Sequence, residues 1–228
     1  MIKEVSVILP VYNGERFILR ALSILNNYFS KNDFKYEIIF SVQKSTDKTL
    51  EVVKSIKDKN VKYTYSKKKG KWRGIKAGLE KAKYSHVFFL DVDMSYPISL
   101  LDDAKDKSDD VIIGSRYMKS SSHSNFSVVR RVVSFFYKAL VRVLFGINTS
   151  DVQVGCKIIK KDVFKKIVPD DNYWIGDTEL LYYAKKKSFS ILEIPINYDY
   201  QENTLGVFRT SLNMFFAILR LRFKLFFK

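Results

Sequence analysis

Short apolar runs alternate with amphipathic stretches through the first half of the chain. The apolar runs lie at 5–9, 36–40, 61–65 and 86–90, and the stretches with helical spacing lie at 15–29, 49–56 and 71–82. Such alternation predicts an α/β fold with a mostly parallel, Rossmann-like sheet and helices on both faces. Because ligands of such sheets bind beyond the carboxyl ends of the strands, we expect functional residues in the loops that follow the strands.

The second half of the chain carries weaker signals of the same kind. Its predicted elements are a strand at 111–113, helices at 128–145 and 177–186, a mixed segment at 154–168, a strand at 191–195 and a final helix at 211–228. The serine-rich stretch 118–126 favours a flexible loop. We find no internal repeat, and we predict one globular domain over 1–210 followed by an amphipathic helix over 211–228.

The charge balance restricts the partners of the chain. Lys and Arg number 40 against 24 Asp and Glu, which gives a net charge of +16. Such a surface attracts nucleic acid, phosphorylated ligands or acidic lipid headgroups, and charge alone does not choose among them. The single Cys156 excludes an internal disulfide and a cysteine-rich zinc site. No apolar run has the roughly 18 residues of a membrane span, and residues 1–4 lead into a strand rather than a signal core, so we expect any membrane contact to be peripheral.

An acidic pair follows the fourth apolar run. Asp91-Val92-Asp93 comes directly after residues 87–90, so both carboxylates are predicted at the carboxyl end of a strand. Two carboxylates at such a place suit Mg²⁺ or Mn²⁺, which bridges to the phosphates of a ligand. An isolated pattern of this kind is also typical of a solvated turn, so the interpretation depends on the segments around it.

Further segments in a fixed order carry a resemblance to a known family. They are 10–15 (PVYNGE), 45–49 (STDKT), 70–71, 91–97 (DVDMSYP), 114–117 (GSRY), Arg130 with Ser134, and 151–155 (DVQVG). Together they resemble the family 2 glycosyltransferases of the GT-A fold, in particular the dolichyl-phosphate mannose and glucose synthases. The resemblance spans roughly residues 5 to 209 and implies a GT-A catalytic domain.

The resemblance implies a binding site for a nucleotide-sugar donor. Its residues would be Pro10, Tyr12 and Glu15 at the nucleotide, Val42 and Gln43 where relatives carry the acid that contacts the base, and Asp91, Val92 and Asp93 at the sugar and the Mg²⁺ or Mn²⁺. Lys71 is expected to add a point charge at the diphosphate, or to be a solvated lysine beside the run 67–69. Arg209 is expected to replace the cation of an Arg-x-x-Gly motif that this chain lacks.

The same resemblance implies a site for an acceptor phosphate. Arg116, Arg130 and Ser134 match the positions of a phosphate cradle, and arginine forks pair bidentately with phosphate oxygens. Along the predicted helix 128–145, the residues Arg131, Ser134, Lys138 and Arg142 form one basic stripe among aromatic side chains, which suits a lipid phosphate and adds Arg131 to the expected acceptor-phosphate residues. The alternative is an ordinary amphipathic helix with a hydrated basic face.

Asp177 and Glu179 resemble the acidic site that supplies a general base in inverting relatives. A phosphate acceptor is already ionised at neutral pH and hardly needs a base. We therefore predict a positioning role for Asp177, and helix N-terminal capping is an equal alternative.

The final helix is the strongest membrane signal. Its polar stripe contains Asn213, Arg220, Lys224 and Lys228, Arg222 lies on the opposite side, and nearly everything else is apolar. Such a helix is expected to lie among headgroups with its cations facing anionic lipid, or else to be buried against the core. The first reading predicts a peripheral protein at the cytoplasmic face of a membrane.

The leading hypothesis is an inverting transfer of a hexose from a nucleotide-sugar to a dolichyl or other polyprenyl phosphate. Mannose from GDP-mannose is favoured over glucose. One rival is a family 2 enzyme that glycosylates a sugar hydroxyl on a lipid-linked or surface glycan, in which Asp177 would be an obligatory base. A basic nucleic-acid-binding module leaves the ordered acidic motif unexplained, so we expect no nucleic acid partner.

Overall fold

The computed structural model describes residues 1–121, 128–170, 175–198 and 207–226, with side chains at 1–121, 132–170, 175–198 and 213–225. The strands within these residues are β1 (Glu4–Val11), β2 (Lys35–Gln43), β3 (Val61–Ser66), β4 (His86–Phe89), β5 (Val111–Ser115), β6 (Lys157–Lys160) and β7 (Ile191–Pro195). The helices are α1 (Glu15–Phe29), α2 (Thr49–Ser55), α3 (Lys71–Lys81), α4 (Leu100–Ala104), α5 (Val128–Phe145), α6 (Lys161–Ile167), α7 (Gly176–Lys186) and α8 (Val207–Phe226).

The strands form one sheet in the order β3-β2-β1-β4-β6-β5-β7. All neighbouring pairs are parallel except those of β6, which runs antiparallel to both β4 and β5. Ile158 of β6 is paired with Phe88 on one side and with Ile112 on the other. The predicted α/β fold with a mostly parallel sheet is confirmed, and the mixed segment 154–168 resolves into β6 and α6.

The sheet is covered on both faces, so its central strands are mostly apolar. Val5, Val7, Ile8 and Leu9 of β1 are fully buried. A Cβ added at Gly78 of α3 would overlap Ile8 and lie 2.8 Å from the Ser41 hydroxyl oxygen. This glycine therefore lets α3 lie directly on β1 and β2, which fixes the position of the loop that precedes α3.

Helices α5 and α8 pack against each other at one side of the molecule. Ile218, Leu221 and Leu225 of α8 are buried in the same core as the sheet. The predicted division at 210 falls inside α8, which begins at Val207. Among the described residues, no helix is both long and apolar enough to cross a membrane.

Each of these two helices also exposes large apolar side chains. On α5 these are Val132, Phe135, Phe136 and Val143, and on α8 they are Phe215, Phe216, Leu219 and Phe223. We call these eight side chains the outer apolar residues. The predicted burial of α8 and its predicted apolar exposure are therefore both present, on different sides of the helix.

Candidate active site

The acidic pair lies at the carboxyl end of β4, at the place that the sequence predicts. Asp93 Oδ1 accepts hydrogen bonds from the Ser95 amide at 3.1 Å and the Ser95 hydroxyl at 2.8 Å. Met94 between them has φ 55, a left-handed conformation that turns the chain sharply. The turn holds Asp91 and Asp93 beside the start of α3.

Lys71 is the first residue of α3, and its Nζ lies 2.6 Å from Asp91 Oδ1. Burial lowers the pKa of Lys71, but the charges of Asp91, Asp177 and Asp93 outweigh that effect and raise it above its ordinary value. The ammonium therefore stays charged at neutral pH. Lys71 lies against the acidic pair and is not the fully solvated lysine of the alternative interpretation.

The donor set fits a divalent ion that is bound together with a phosphate ligand. The two carboxylates of Asp91 and Asp93 are only partly buried and supply hard oxygen ligands. Among the described residues, no group of three or more His, Cys, Asp or Glu side chains is placed to hold a metal. Mg²⁺ and Mn²⁺ commonly take one or two carboxylates and complete their coordination with water and substrate phosphates, so the pair is sufficient for that mode.

A glycine keeps Asp91 in contact with the segment that leads into β6. A Cβ added at Gly155 would overlap Asp91 Oδ2 and lie 2.5 Å from Cε2 of Tyr96. Tyr96 is buried, so its ring cannot swing into solvent without opening the site. Gly155 therefore packs directly against both Asp91 and Tyr96.

The loop after β1 is fastened to the loop after β2. Asn13 has φ 47, and its Oδ1 accepts the Thr46 amide hydrogen at 2.9 Å. Glu15 Oε2 accepts a hydrogen bond from the Lys48 amide at 2.9 Å. The carboxylate of Glu15 thus braces the loop. Its predicted contact with the nucleotide stays a prediction.

Tyr12 and Pro10 lie at the carboxyl end of β1. The Tyr12 side chain is exposed, and its hydroxyl accepts a hydrogen bond of 2.6 Å from Lys69 Nζ. The same ammonium lies 4.4 Å from the centre of the Tyr12 ring. Lys69 and Tyr12 therefore make one accessible aromatic and cationic surface next to the predicted nucleotide pocket.

Val42 and Gln43 are buried at the end of β2. Gln43 Oε1 accepts a hydrogen bond of 2.6 Å from the Gly70 amide. Gly70 precedes α3 with φ 133, a conformation that favours glycine. Gln43 thus positions the start of the helix that carries Lys71. Contact of Val42 or Gln43 with a base stays a prediction.

Arg116 lies just beyond β5 and is paired with Asp151. Its Nε donates to Asp151 Oδ2 at 2.7 Å, its Nη2 donates to Oδ1 at 2.8 Å, and its amide donates to Oδ2 at 3.1 Å. Both side chains are buried. Burial acts to lower the pKa of Arg116, but Tyr96 and Asp151 raise it well above its ordinary value. The predicted contact of Arg116 with an acceptor phosphate stays a prediction, and in this structure Nε and Nη2 are bonded to Asp151.

A cavity of about 470 Å³ lies between the first half of α5 and the ends of the neighbouring loops. Its lining residues are Tyr117, Val132, Ser134, Phe135, Phe136, Lys138 and Ser150. Ser134 is therefore at a cavity, as its predicted ligand role requires. The side chains of Arg130, Arg131 and Arg209 lie outside the described residues, as does most of the predicted flexible loop 118–126.

A row of side chains connects the acidic pair with this cavity. Tyr96 meets Asp91 at Gly155, and the Arg116 guanidinium carbon lies 5.9 Å from the Tyr96 ring centre and 5.6 Å from that of Tyr117. Lys138 Nζ lies 6.0 Å from the Tyr117 ring centre on the far side of the row. The two parts of the candidate site are therefore linked through packed side chains.

Asp177 is buried at the start of α7 in a pair that the sequence did not reveal. One carboxylate oxygen accepts from Lys157 Nζ, and the other accepts from Trp72 Nε1 at 3.3 Å. The residue at the helix N-cap is Ile175, so the capping alternative for Asp177 is wrong. The only sequence signal for Lys157 is a charged residue within a short apolar strand.

Glu179 is also buried, and it contacts a tyrosine of its own helix and a lysine of α8. It accepts a hydrogen bond of 3.1 Å from the Tyr183 hydroxyl, and Lys224 Nζ of α8 lies 3.8 Å away. Lys224 also lies 2.7 Å from Asp170. Lys224 therefore ties α8 to the body of the domain, and its predicted contact with lipid stays a prediction.

Comparison with protein families gives one match over most of the chain. The model described as Glycosyl transferase family 2 matches residues 6–168. This region includes the acidic pair, Arg116 and Ser134, and Asp177 follows it.

Curated proteins with related sequences include three named transferases. The chain is 28% identical over 244 residues to dolichyl-phosphate beta-glucosyltransferase of Dictyostelium discoideum. That alignment covers 96% of this chain and 74% of the Dictyostelium protein. It is 26% identical over 231 residues to glycosyltransferase AglD of Haloferax volcanii, in an alignment that covers 95% of this chain but only 36% of AglD. It is 31% identical over 144 residues to polyprenol monophosphomannose synthase of Mycolicibacterium smegmatis, over 60% of this chain and 53% of that protein.

Solved structures share the fold at low sequence identity. The chain aligns with TM-score 0.70 and 15% identity to glucosyl-3-phosphoglycerate synthase of Mycobacterium tuberculosis, over 96% of this chain and 80% of that one. That enzyme was solved with Mn²⁺, uridine diphosphate and glucosyl-3-phosphoglycerate. The likeness is one of fold and agrees with the predicted GT-A architecture.

Proposed function

The chain belongs to glycosyl transferase family 2, and from this premise we propose that it transfers a hexose from a nucleotide-sugar to a polyprenyl phosphate. The observation that carries the proposal is the row of Tyr96, Arg116 and Tyr117, which links the acidic pair with the cavity beside α5. One end offers carboxylates and a lysine to a diphosphate, and the other offers a hydroxyl, an ammonium and apolar side chains to a phosphorylated lipid.

The donor half of the site would hold a nucleoside diphosphate. Asp91 and Asp93 would hold Mg²⁺ or Mn²⁺, which neutralises the charge that develops on the leaving group. Lys71 adds a fixed positive charge at the same place, 2.6 Å from Asp91. Tyr12 and Lys69 offer an exposed ring and ammonium to the nucleoside. These residues orient the donor so that the anomeric carbon faces the acceptor half.

The acceptor half favours an ionised nucleophile. The phosphate oxygen attacks the anomeric carbon from the side opposite the leaving diphosphate, which inverts the configuration and yields a β-linked product. No proton has to be removed from a phosphate at neutral pH. The carboxylate of Asp177 is buried and already bonded to Lys157 and Trp72, which supports a positioning role over that of a general base.

The sugar and the base are the finer part of the proposal. Mannose from GDP-mannose remains our first candidate. Glucose is the other candidate, and it is supported by a dolichyl-phosphate glucosyltransferase that is similar over almost the whole chain, whereas the mannose synthase is similar over a shorter part. Both hexoses therefore belong in the same assay.

The outer apolar residues support a location at a membrane surface. Phe215, Leu219 and Phe223 are exposed at intervals of four along α8, and Arg222 and Arg220 lie on the two sides of this row. Exposed apolar rows flanked by arginines are typical of helices that lie among headgroups. The anionic leaflet faces the cytoplasm, so we propose peripheral attachment at the cytoplasmic face.

A transfer assay tests the proposal. Purified protein is incubated with radiolabelled GDP-mannose, UDP-glucose or GDP-glucose, with farnesyl phosphate as acceptor and with Mn²⁺ or EDTA. We expect a lipid-phosphate sugar from one donor, with a β anomer by NMR and no product when farnesol replaces farnesyl phosphate. Transfer to a sugar hydroxyl but not to farnesyl phosphate, together with loss of that activity in Asp177→Asn, would establish the rival enzyme instead.

A further inference from the structure

We propose that Lys157 is a positioning residue for donor binding. By neutralising Asp177, it keeps Lys71 available for the diphosphate of the donor. The inference rests on the proposed function and adds to it a residue that contacts neither substrate. From the sequence alone, Lys157 belongs only to the mixed segment 154–168 and has no assigned role.

Lys157 is the first residue of β6, a strand in the interior of the sheet, and its side chain is fully buried. Its ammonium donates to Asp177 and to the main-chain carbonyl of Val154, and it lies 5.5 Å from the centre of the Phe89 ring. Lysine is almost never fully buried unless it is paired. Asp177 supplies the counter-charge that permits this burial, so each member of the pair depends on the other.

The carboxylate of Asp177 also contacts the start of α3. One of its oxygens bonds Lys157, and the other accepts a hydrogen bond of 3.3 Å from Trp72 Nε1. Trp72 is fully buried and directly follows Lys71 in the first turn of α3. A Cβ added at Gly176 would overlap the Trp72 ring, so the starts of α3 and α7 are in direct contact. Asp177 is thereby held close to the backbone that carries Lys71.

Lys71 is a second cation within electrostatic range of Asp177. Burial acts to lower the pKa of Lys71, whereas Asp91 and then Asp177 raise it. In this structure Lys71 Nζ lies 2.6 Å from Asp91, while Asp177 is bonded to Lys157. Each carboxylate thus has its own lysine, and Lys71 stays beside the acidic pair.

Removal of Lys157 would leave a buried carboxylate without its counter-charge. Such a group is strongly unfavourable and gains from pairing with another cation in range. Lys71 has a long, flexible side chain and can turn from Asp91 toward Asp177. The donor diphosphate would then lose one positive charge, although Asp91 and Asp93 are both intact.

Binding of GDP or UDP in the presence of Mn²⁺ tests the inference without turnover. Calorimetric titration uses the nucleotide that the wild type binds more tightly, and it compares wild type with Lys157→Met, Lys157→Gln and Lys160→Met. Lys157→Gln keeps a hydrogen-bond donor beside Asp177, so the test does not depend on one variant being folded, which thermal denaturation checks. Lys160, at the other end of β6, is paired with Asp110 and controls for loss of a lysine from the same strand.

We expect both Lys157 variants to weaken nucleotide binding by about tenfold or more, the usual effect of losing one charged contact, while Lys160→Met binds like wild type. In the transfer assay the donor KM should rise and the KM for farnesyl phosphate should stay near wild type. The double variant Lys157→Met/Asp177→Asn should regain most of the nucleotide affinity, because no charged carboxylate then competes for Lys71.

A double-mutant cycle separates this role from general support of the fold. In Lys71→Met, the further change Lys157→Met should have little effect on nucleotide affinity, and a second tenfold loss would overturn the inference because the effect would not pass through Lys71. If wild type binds nucleotide and transfers sugar but the Lys157 variants bind equally well, the role of Lys157 is wrong and the proposed function stands. If wild type binds neither GDP nor UDP with Mn²⁺, both fail together.

Discussion

Removal of one partner from the buried pair of Arg116 and Asp151 is predicted to destabilise the fold strongly. The substitution Asp151→Asn keeps the shape of the side chain and removes its charge. Three hydrogen bonds from Arg116 to one carboxylate would be weakened, and the guanidinium would remain buried without its counter-charge. Breaking a buried pair by removal of one partner costs about 3–5 kcal/mol, against a total free energy of unfolding of about 5–15 kcal/mol for a typical domain.

Urea denaturation monitored by tryptophan fluorescence measures the effect, since Trp72 is fully buried in the folded chain. With an m-value of about 2 kcal/mol/M, the loss corresponds to a midpoint lower by about 2 M. The variant Arg116→Met should lose a similar amount. The double variant Arg116→Met/Asp151→Leu should lose clearly less than the two single losses added, because neither charge is then left unpaired.

An exposed pair provides the matched control. Asp162 lies 3.3 Å from Lys165 with both side chains largely in solvent, and Asp162→Asn should change the free energy of unfolding by less than about 1 kcal/mol. The reasoning is refuted if Asp151→Asn behaves like this control. If Arg116→Met instead stays stable and raises only the acceptor KM, Arg116 is the phosphate ligand that the sequence predicts and its role is not a structural one.

Three further predictions follow from other parts of the molecule. Asp91→Ala and Asp93→Ala should each abolish transfer while the thermal midpoint remains near wild type, and EDTA should inactivate the wild type until Mn²⁺ is restored; full activity in EDTA would contradict the metal role. Phe216→Ser/Phe223→Ser should reduce co-sedimentation with phosphatidylserine liposomes and leave the stability intact, because both side chains are exposed; unchanged co-sedimentation would place the attachment elsewhere. Burial raises the pKa of Cys156 to about 12, so its thiol stays protonated at pH 8 and should react with a disulfide reagent only after denaturation; rapid labelling of the folded protein would contradict its burial.

The sequence predicted those parts of the fold whose signal is local. Helices α1 and α5 and strand β7 have the predicted bounds, since each has a clear period and a clear break at its ends. Strand β6 was not separated from α6, because four residues with a lysine at each end carry no strand pattern. Its antiparallel place between β4 and β5 depends on pairing with distant residues. The short helix α4 was missed because five residues are too few to show a helical period.

In the candidate site too, local features were predicted from the sequence and contacts between distant elements were not. The acidic pair was located correctly at the end of β4, because an apolar strand followed by carboxylates is a local pattern. The pairing of Lys157 with Asp177 could not be predicted, since it joins residues from separate elements. The same holds for Gln43, whose side chain bonds the amide of Gly70 rather than facing a solvent-exposed pocket.

The place of β6 between β4 and β5 determines the distance between the two halves of the candidate site. Neighbouring strands lie about 4.8 Å apart, so the ends of β4 and β5 are separated by two spacings, roughly 10 Å. Because β6 is antiparallel, the segment that enters it lies at this same edge of the sheet, with Asp151 against Arg116 and Gly155 against Asp91. The reversed strand is therefore a spacer between the two binding halves. The spacing is set by main-chain hydrogen bonding, so substitutions of side chains in the site change what it binds without changing the distance between the ends of β4 and β5.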